Sequence, residues 1–330
     1  MTTRRQILTL LLSASATPLN AIAQTAGKVH RIGFLGMRVR STPSNPDPYY
    51  DAFVDGMRKL GYVEGGNLTV EWRFTEGKSD RLASLAAELV QMKVDLIVTH
   101  SAAASQALKR ATDSIPIVVA TTGDPVGSGL VTSLARPGGN LTGLSSMNTD
   151  FASKQVELLK TLKPKLARIA ILTNPDNPSH SVLLLKPIQT AAQQIGITTL
   201  PVAARSQELE RAFAGMARER VEAVAILSDP LFIRQRRQIA ELLAKHRLAS
   251  VYENRLEVEA GGLMSYGADN AILYRRAATY VDKIFKGAKP GELPFEQPLV
   301  LQLVINQKTA KSLGLKIPPE LLLRADEVIE

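Results

Sequence analysis

Cysteine is absent from the 330 residues, and histidine occurs only at His30, His100, His180 and His246. Without thiols the chain can form no disulfide, no cysteine nucleophile, no thiolate zinc site and no iron–sulfur cluster. No two histidines have metal-ligand spacing, so neither a metal nor any other cofactor is expected. Long apolar runs are missing as well: nothing in the sequence matches the roughly 20 uncharged residues that span a bilayer. The net charge of +9 is spread along the chain, with Lys and Arg interleaved with Glu and Asp and no block of five like charges. That pattern describes a solvated basic surface and argues against a nucleic-acid partner. What is present is globular composition, 45% hydrophobic and 22% charged, enough for a buried core. The length passes the roughly 250 residues at which a single core stops growing, so two lobes are expected.

The first 24 residues combine Arg4 and Arg5, an apolar stretch over 7–16 and an Ala21-Ile22-Ala23 cleavage pattern, which together make a removable export signal, residues 1–23. Thr3-Arg4-Arg5-Gln6 also fits a twin-arginine signal, so the Sec and twin-arginine routes both stay open. No cysteine stands at the cleavage point to carry a lipid, and the expected location is the periplasm, as a soluble monomer.

From Val29 onward short apolar runs alternate with amphipathic helical stretches. Strands are expected at 30–36, 68–74, 94–100 and 115–120, with helices at 50–60, 81–91 and 102–112; this βαβαβαβ grammar is that of a parallel sheet covered on both faces. It restarts after residue 150. The run from Arg168 (RIAILT) echoes the one from Arg31 (RIGFL), and the run from Val221 (VEAVAILS) echoes the one from Val94 (VDLIVTHS). Two doubly wound α/β lobes are therefore expected, joined by several crossovers at a hinge. The first lobe takes 24–145 plus about 257–290, the second 146–256 plus about 291–330, with the chain crossing back near 255–262.

In open α/β sheets ligands bind at the carboxyl ends of the strands. Ser101 and Ala102 follow one strand and open a helix whose first N–H groups suit a carboxylate, although Ser101 also reads as a plain N-cap. Thr121, Thr122 and Asp124 end the next strand and could hold an ammonium; Asp124 alternatively belongs to a Gly-Asp-Pro turn bonding its own backbone. Asn174 and Asp229 occupy the matching ends in the second half, Asp229 with the competing reading of an N-cap before a proline. Tyr252 and Tyr266 end or nearly end strands, and Tyr49 and Tyr50 open the first helix; such rings suit a solute with an apolar face, or simply a core. Trp72 reads as packing. The GDPVGSG and RPGGN loops lack a P-loop lysine, and His100 beside Ser101 lacks a nucleophile elbow, so no catalytic residues are assigned.

The leader, HRIGFLG, YYDAFVDGMRKLGYVEGGNLTVEWR, VDLIVTHSAAASQALKRAT, IPIVVATTGDPVGSGLVTSLARPGGNLTG, SYG and INQKTAKSLGL together resemble the substrate-binding proteins of ABC transporters with the type I periplasmic-binding fold. The resemblance covers nearly the whole mature chain. It implies a hinge-closing receptor for a small-molecule ligand, an amino acid or relative, that delivers its solute to a permease in the inner membrane. An exported α/β hydrolase or lyase using cleft carboxylates such as Asp124 and Asp229 is the alternative; a receptor would return its ligand unchanged where an enzyme would alter it.

Overall fold

The computed structural model describes residues 28–330 apart from 45, 178–182 and 299, so the export signal and His180 lie outside the described residues. The first lobe comprises β1 (His30–Gly36), α1 (Pro48–Lys59), β2 (Leu68–Phe74), α2 (Leu82–Gln91), β3 (Leu96–Thr99), α3 (Ala102–Ala111), β4 (Ile117–Thr122) and β5 (Leu141–Ser145). Then come α4 (Asn148–Leu162), β6 (Arg168–Thr173), α5 (Leu185–Gln194), β7 (Thr198–Ala203), α6 (Leu209–Arg218), β8 (Ala223–Ile226), α7 (Pro230–Arg234), α8 (Arg236–Lys245), β9 (Ala249–Tyr252), α9 (Arg255–Glu259) and β10 (Met264–Ala268). The chain ends with α10 (Asn270–Phe285), β11 (Leu301–Asn306), α11 (Gln307–Leu313), α12 (Pro319–Arg324) and β12 (Glu327–Ile329). Among the described helices none is long and apolar enough to cross a membrane.

The described strands form two sheets. The first is parallel throughout, in the order β2-β1-β3-β4-β5. The second runs β12-β11-β10-β9-β8-β6-β7, and in it only the β10–β11 pair is antiparallel. Read from β7 to β10, the second sheet repeats the strand order of the first. The sequence echo has a physical counterpart at the start of each lobe. Asp95 accepts from Arg31 N at 2.7 Å while its own N–H donates to Arg31 O; Glu222 accepts from Arg168 N at 3.3 Å while its N–H donates to Arg168 O.

Each sheet is buried on both faces, which is why its strands read as continuous apolar runs. In the first lobe Phe34, Val98 and Val118 of the sheet pack against α1 and α10, while Leu35 and Ile97 pack against Leu89 of α2 and Leu108 of α3. In the second, α4 and α5 cover Ile169 and Ile171, and α6 and α8 cover Leu172 and Ile226. The helix α1 starts at Pro48 because Asp47 accepts from the N–H groups of Tyr49 and Tyr50 and proline suits the first helical position. It lies tightly on α10: a Cβ at Gly56 would stand 2.8 Å from Arg275 O and 2.9 Å from the Ala278 Cβ.

That contact puts α10 on the first lobe, within the expected 257–290, but the pairing of β10 moves the crossover later. The strand β10 pairs with β9 and β11 and so belongs to the second sheet; the chain crosses to the first lobe between Ala268 and Asn270, not near 255–262, and α10 with the segment through Glu296 makes the visit. Local patterning marks a strand and a helix there but carries no information on which sheet edge the strand joins. The return begins after Glu296, whose backbone bridges to Leu144 and whose carboxylate takes a bidentate bond from Arg276 at 2.7 and 2.8 Å.

Candidate functional site

The carboxyl ends of both sheets face each other across a cleft that encloses a cavity of about 810 Å³. From the first lobe it is lined by the loops after β1 (Met37, Arg38), β2 (Glu76 to Asp80), β3 (His100, Ser101) and β4 (Thr121 to Asp124); from the second, by those after β6, β7, β8 and β9. Seven of the nine residues expected at the site line this cavity: Ser101, Ala102, Thr121, Thr122, Asp124, Asn174 and Asp229. The two tyrosines do not. Tyr252 is 1% exposed in the core under α6 and α8, its ring fitting against Gly262, where a Cβ would stand 2.4 Å from Cε2. Tyr266 meets Phe151 edge-on, with ring centroids 6.0 Å apart, and packs on the opposite core of that lobe. Both sit on strands whose alternation turns those positions toward a helical layer rather than out of the strand end.

Ser101 has φ 72° and ψ 154°, a region that side-chain-bearing residues rarely occupy and that costs about 1–3 kcal/mol. Its Oγ accepts from Ala104 N at 3.4 Å and donates to Met37 Sδ at 2.9 Å, so the N-cap reading and the cleft position hold together. The N–H groups of Ala102 and Ala103 fall in the first turn of α3, where the helix supplies no acceptor, and both residues face the cavity. Beside them Thr122 is 3% exposed, and its Oγ1 has no hydrogen-bond partner.

Asp124 does what its turn reading requires: Oδ1 accepts from Val126 N at 3.0 Å and Gly127 N at 2.7 Å. Asp229 is also a cap, accepting from Leu231 N at 2.8 Å ahead of Pro230. Two further donors converge on it, Asn174 Nδ2 at 3.1 Å and Asn177 Nδ2 at 2.8 Å. His100 is 2% exposed; Met37 N donates to its Nε2 at 3.1 Å and Tyr50 Oη lies 3.0 Å from the same atom. Burial, with the Arg38 charge adding to it, pushes this imidazole well below its usual range, so it is a neutral acceptor that holds the β1 loop.

Several lining groups escape the sequence reading. Arg38 is clamped by Asp47 through Nε at 2.6 Å and Nη2 at 3.0 Å, with its guanidinium carbon 4.5 Å from the Tyr50 ring centroid and 5.3 Å from that of Tyr49. Tyr274 of α10 completes this corner. At the floor, Thr121 donates to Asn270, Asn270 to Asn254 and Asn254 to Ser228, a side-chain chain that crosses from one lobe to the other. At the mouth, Arg234 of α7 donates to the Glu76 carbonyl of the facing lobe. Arg38 stands two residues past a strand end and was within reach of the strand-end rule; Asn270 and Tyr274 lie on a helix, where that rule does not look.

Two doubly wound lobes closing over one polar cleft define the type I periplasmic binding fold, and with it a class of solute receptors. The family described as ABC transporter substrate binding protein matches residues 41–329, and the chain belongs to that family. It is 26% identical over 272 residues to a tyrosine-binding protein of Clostridioides difficile, covering 80% of this chain and 76% of that one. Among solved structures, a conserved domain protein from Vibrio cholerae superposes with a TM-score of 0.82 at 28% identity, covering 91% of this chain and 100% of that one. An ABC domain from Streptococcus pneumonia, in complex with L-Trp, superposes with a TM-score of 0.81 at 30% identity, covering 90% of this chain and 100% of that one.

Proposed function

We propose that the chain is the exported receptor of an ABC uptake system, that it binds a free amino acid in the cleft by hinge closure, and that it hands the solute to an inner-membrane permease. The observation that carries this reading is the wall formed by Ser101, the α3 N-terminus and Thr122 Oγ1, a group that is buried and without a protein partner. A carboxylate leaving water needs compensating donors, and this wall offers a hydroxyl, first-turn N–H groups and the positive end of a ten-residue helix. The free Asp124 Oδ2 and the Asp229 carboxylate supply acceptors for an ammonium around the same cavity. The relatives that bind tyrosine and L-Trp support a zwitterionic ligand. Closure is supported by the few connections between lobes, the side-chain chain at the floor and the Arg234–Glu76 contact at the mouth.

The test is a thermal-shift and calorimetric screen of the mature protein against the free amino acids, each paired with its decarboxylated amine. Binding of at least one amino acid, abolished by removal of its carboxyl group, is the expected outcome. Equal binding of acid and amine would overturn the assignment of the α3 wall, and conversion of the ligand during incubation would overturn the receptor reading.

A further inference from the structure

The short helix α7 begins at the cavity wall of the second lobe and ends on the first. Asp229 roots it: Oδ1 accepts from Leu231 N at 2.8 Å, and the Asp229 carbonyl accepts from Ile233 N at 3.0 Å. The three side chains that follow go to different places. Phe232 is buried in the second-lobe core with Phe213 and Ile239, Ile233 joins the first-lobe cluster that contains Phe34 and Tyr49, and Arg234 reaches the loop after β2. That loop is shaped to receive it. Glu76 and Gly77 take φ values of 56° and 79°, two left-handed residues in succession, and Arg234 Nη1 donates to the carbonyl between them. The guanidinium lies so close over Gly77 that a Cβ there would stand 2.5 Å from Cζ. Gly77 N donates to Met37 O and Thr75 N to Gly36 O, each at 2.9 Å, so the receiving loop is itself fixed to the end of β1.

We propose that α7 is a clasp across the cleft mouth, and that Arg234, seated on Gly77, is the positioning residue that sets how long the closed cleft holds its solute. The inference rests on the receptor reading of the cleft. Closing needs only the hinge; the clasp adds a contact that exists only while the lobes are together, and such a contact slows opening without touching the encounter step. At 1.5 Å per residue α7 is about 7 Å long, one stiff piece, so its roots in the second lobe hold Arg234 at a fixed reach from the facing loop. The clasp is also built to release. Arg234 Nε is buried without a hydrogen-bond partner, a cost that is borne only in the closed form and is relieved when opening returns the group to water.

The test measures association and dissociation rates by stopped flow, with the protein amino acids in free form as probes, for the wild type, Arg234→Met, Gly77→Ala and the double variant. Arg234→Met keeps an apolar stem and removes the donor; dissociation should quicken by about five- to tenfold while association stays within about twofold. Its apo melting temperature should not fall, because the unpartnered Nε goes with the donor. Gly77→Ala should quicken dissociation as well, by displacing the guanidinium, but should add little in the Arg234→Met background, where only the strain of an alanine at positive φ remains. Gly65→Ala, at φ 83° with open space around it, carries the same strain away from the mouth and should leave both rates alone. If Gly77→Ala fails to fold, the rates of Arg234→Met decide by themselves. Additive effects of the two mouth substitutions, an unchanged dissociation rate in Arg234→Met, or a loss of affinity that falls on association overturns the clasp and leaves the receptor reading standing. A wild type that binds none of the probes overturns the reading of the cleft, and the clasp with it.

Discussion

At the end of β3 the chain enters a ten-residue helix through Ser101, whereas at the equivalent end of β8 it enters a five-residue helix through Asp229. The strand order around both points is the same, yet the chemistry differs. Ser101 caps weakly, at 3.4 Å, and leaves a full helix N-terminus open to the cleft; Asp229 caps at 2.8 Å and is wrapped by two asparagine amides. The buried acids differ in the same way. In the first lobe Asp47 is neutralised by Arg38, while beneath the second wall Glu257 is 1% exposed with neither carboxylate oxygen in a hydrogen bond of good geometry. One topology thus ends in an open helix N-terminus on one side of the cleft and a satisfied aspartate cap on the other, the asymmetry that the proposed ligand would meet.

The largest expected effect comes from breaking the ion pairs of the two walls separately. Asp47→Ala leaves Arg38 charged and buried and removes the α1 cap, which should cost about 3–5 kcal/mol. Asp176→Ala breaks the equally well-formed bidentate pair with Arg205, but there the side chains are 48% and 46% exposed, and the cost should stay within about 1 kcal/mol. Thermal unfolding of the two variants checks the contrast; if they melt alike, the walls do not differ energetically.

Next comes the acid of the second lobe. Burial, with the charge of Glu253 adding to it, pushes Glu257 from the ordinary value near 4.5 up to about 8. Between those values the folded chain holds a proton that the unfolded chain releases, so the contribution of Glu257 to stability falls as pH rises through that window. Glu257→Gln should therefore raise the melting temperature at pH 8 and leave it nearly unchanged near pH 4.5. A gain of the same size at both pH values would show that the carboxyl is not protonated in the fold.

Asp124→Asn is expected to spare the fold, since an amide oxygen can still accept from Val126 and Gly127. If Oδ2 meets the ligand ammonium, removal of its charge weakens binding by roughly ten- to a hundredfold, the equivalent of about 1.5–3 kcal/mol. An apo melting temperature that drops while ligand-induced stabilisation persists would reduce Asp124 to a turn residue and leave the acceptor role to the second wall.

The alternation of apolar runs made most strands of the first lobe legible, and the strand-end rule led to Ser101, Thr122 and Asp229, which line the cavity, because these are consequences of local period and of parallel topology. Tyr252 and Tyr266 went astray because a position near a strand end does not say which way the pleat turns it. The Arg38–Asp47–Tyr274 corner was out of reach for a different reason. Arg38 and Asp47 lie in the loop before α1 and Tyr274 in the body of α10; although 257–290 was expected on the first lobe, no local period says which residues of that helix meet the loop.

The smallest expected effect separates strain from chemistry at Ser101. Glycine accepts a φ of 72° without penalty, so Ser101→Gly relieves backbone strain as it removes the cap hydroxyl; Ser101→Ala removes the hydroxyl and keeps the strain. The cap bond is long, so its loss costs at the low end of about 0.5–2 kcal/mol. The glycine variant should therefore melt at or above wild type and the alanine variant below it, while both lose ligand affinity by a similar few-fold factor because the first-turn N–H groups remain. A glycine variant that melts below the alanine variant would mean that the Ser101 conformation is not strained, and that the open donor wall does not come at the expense of the fold.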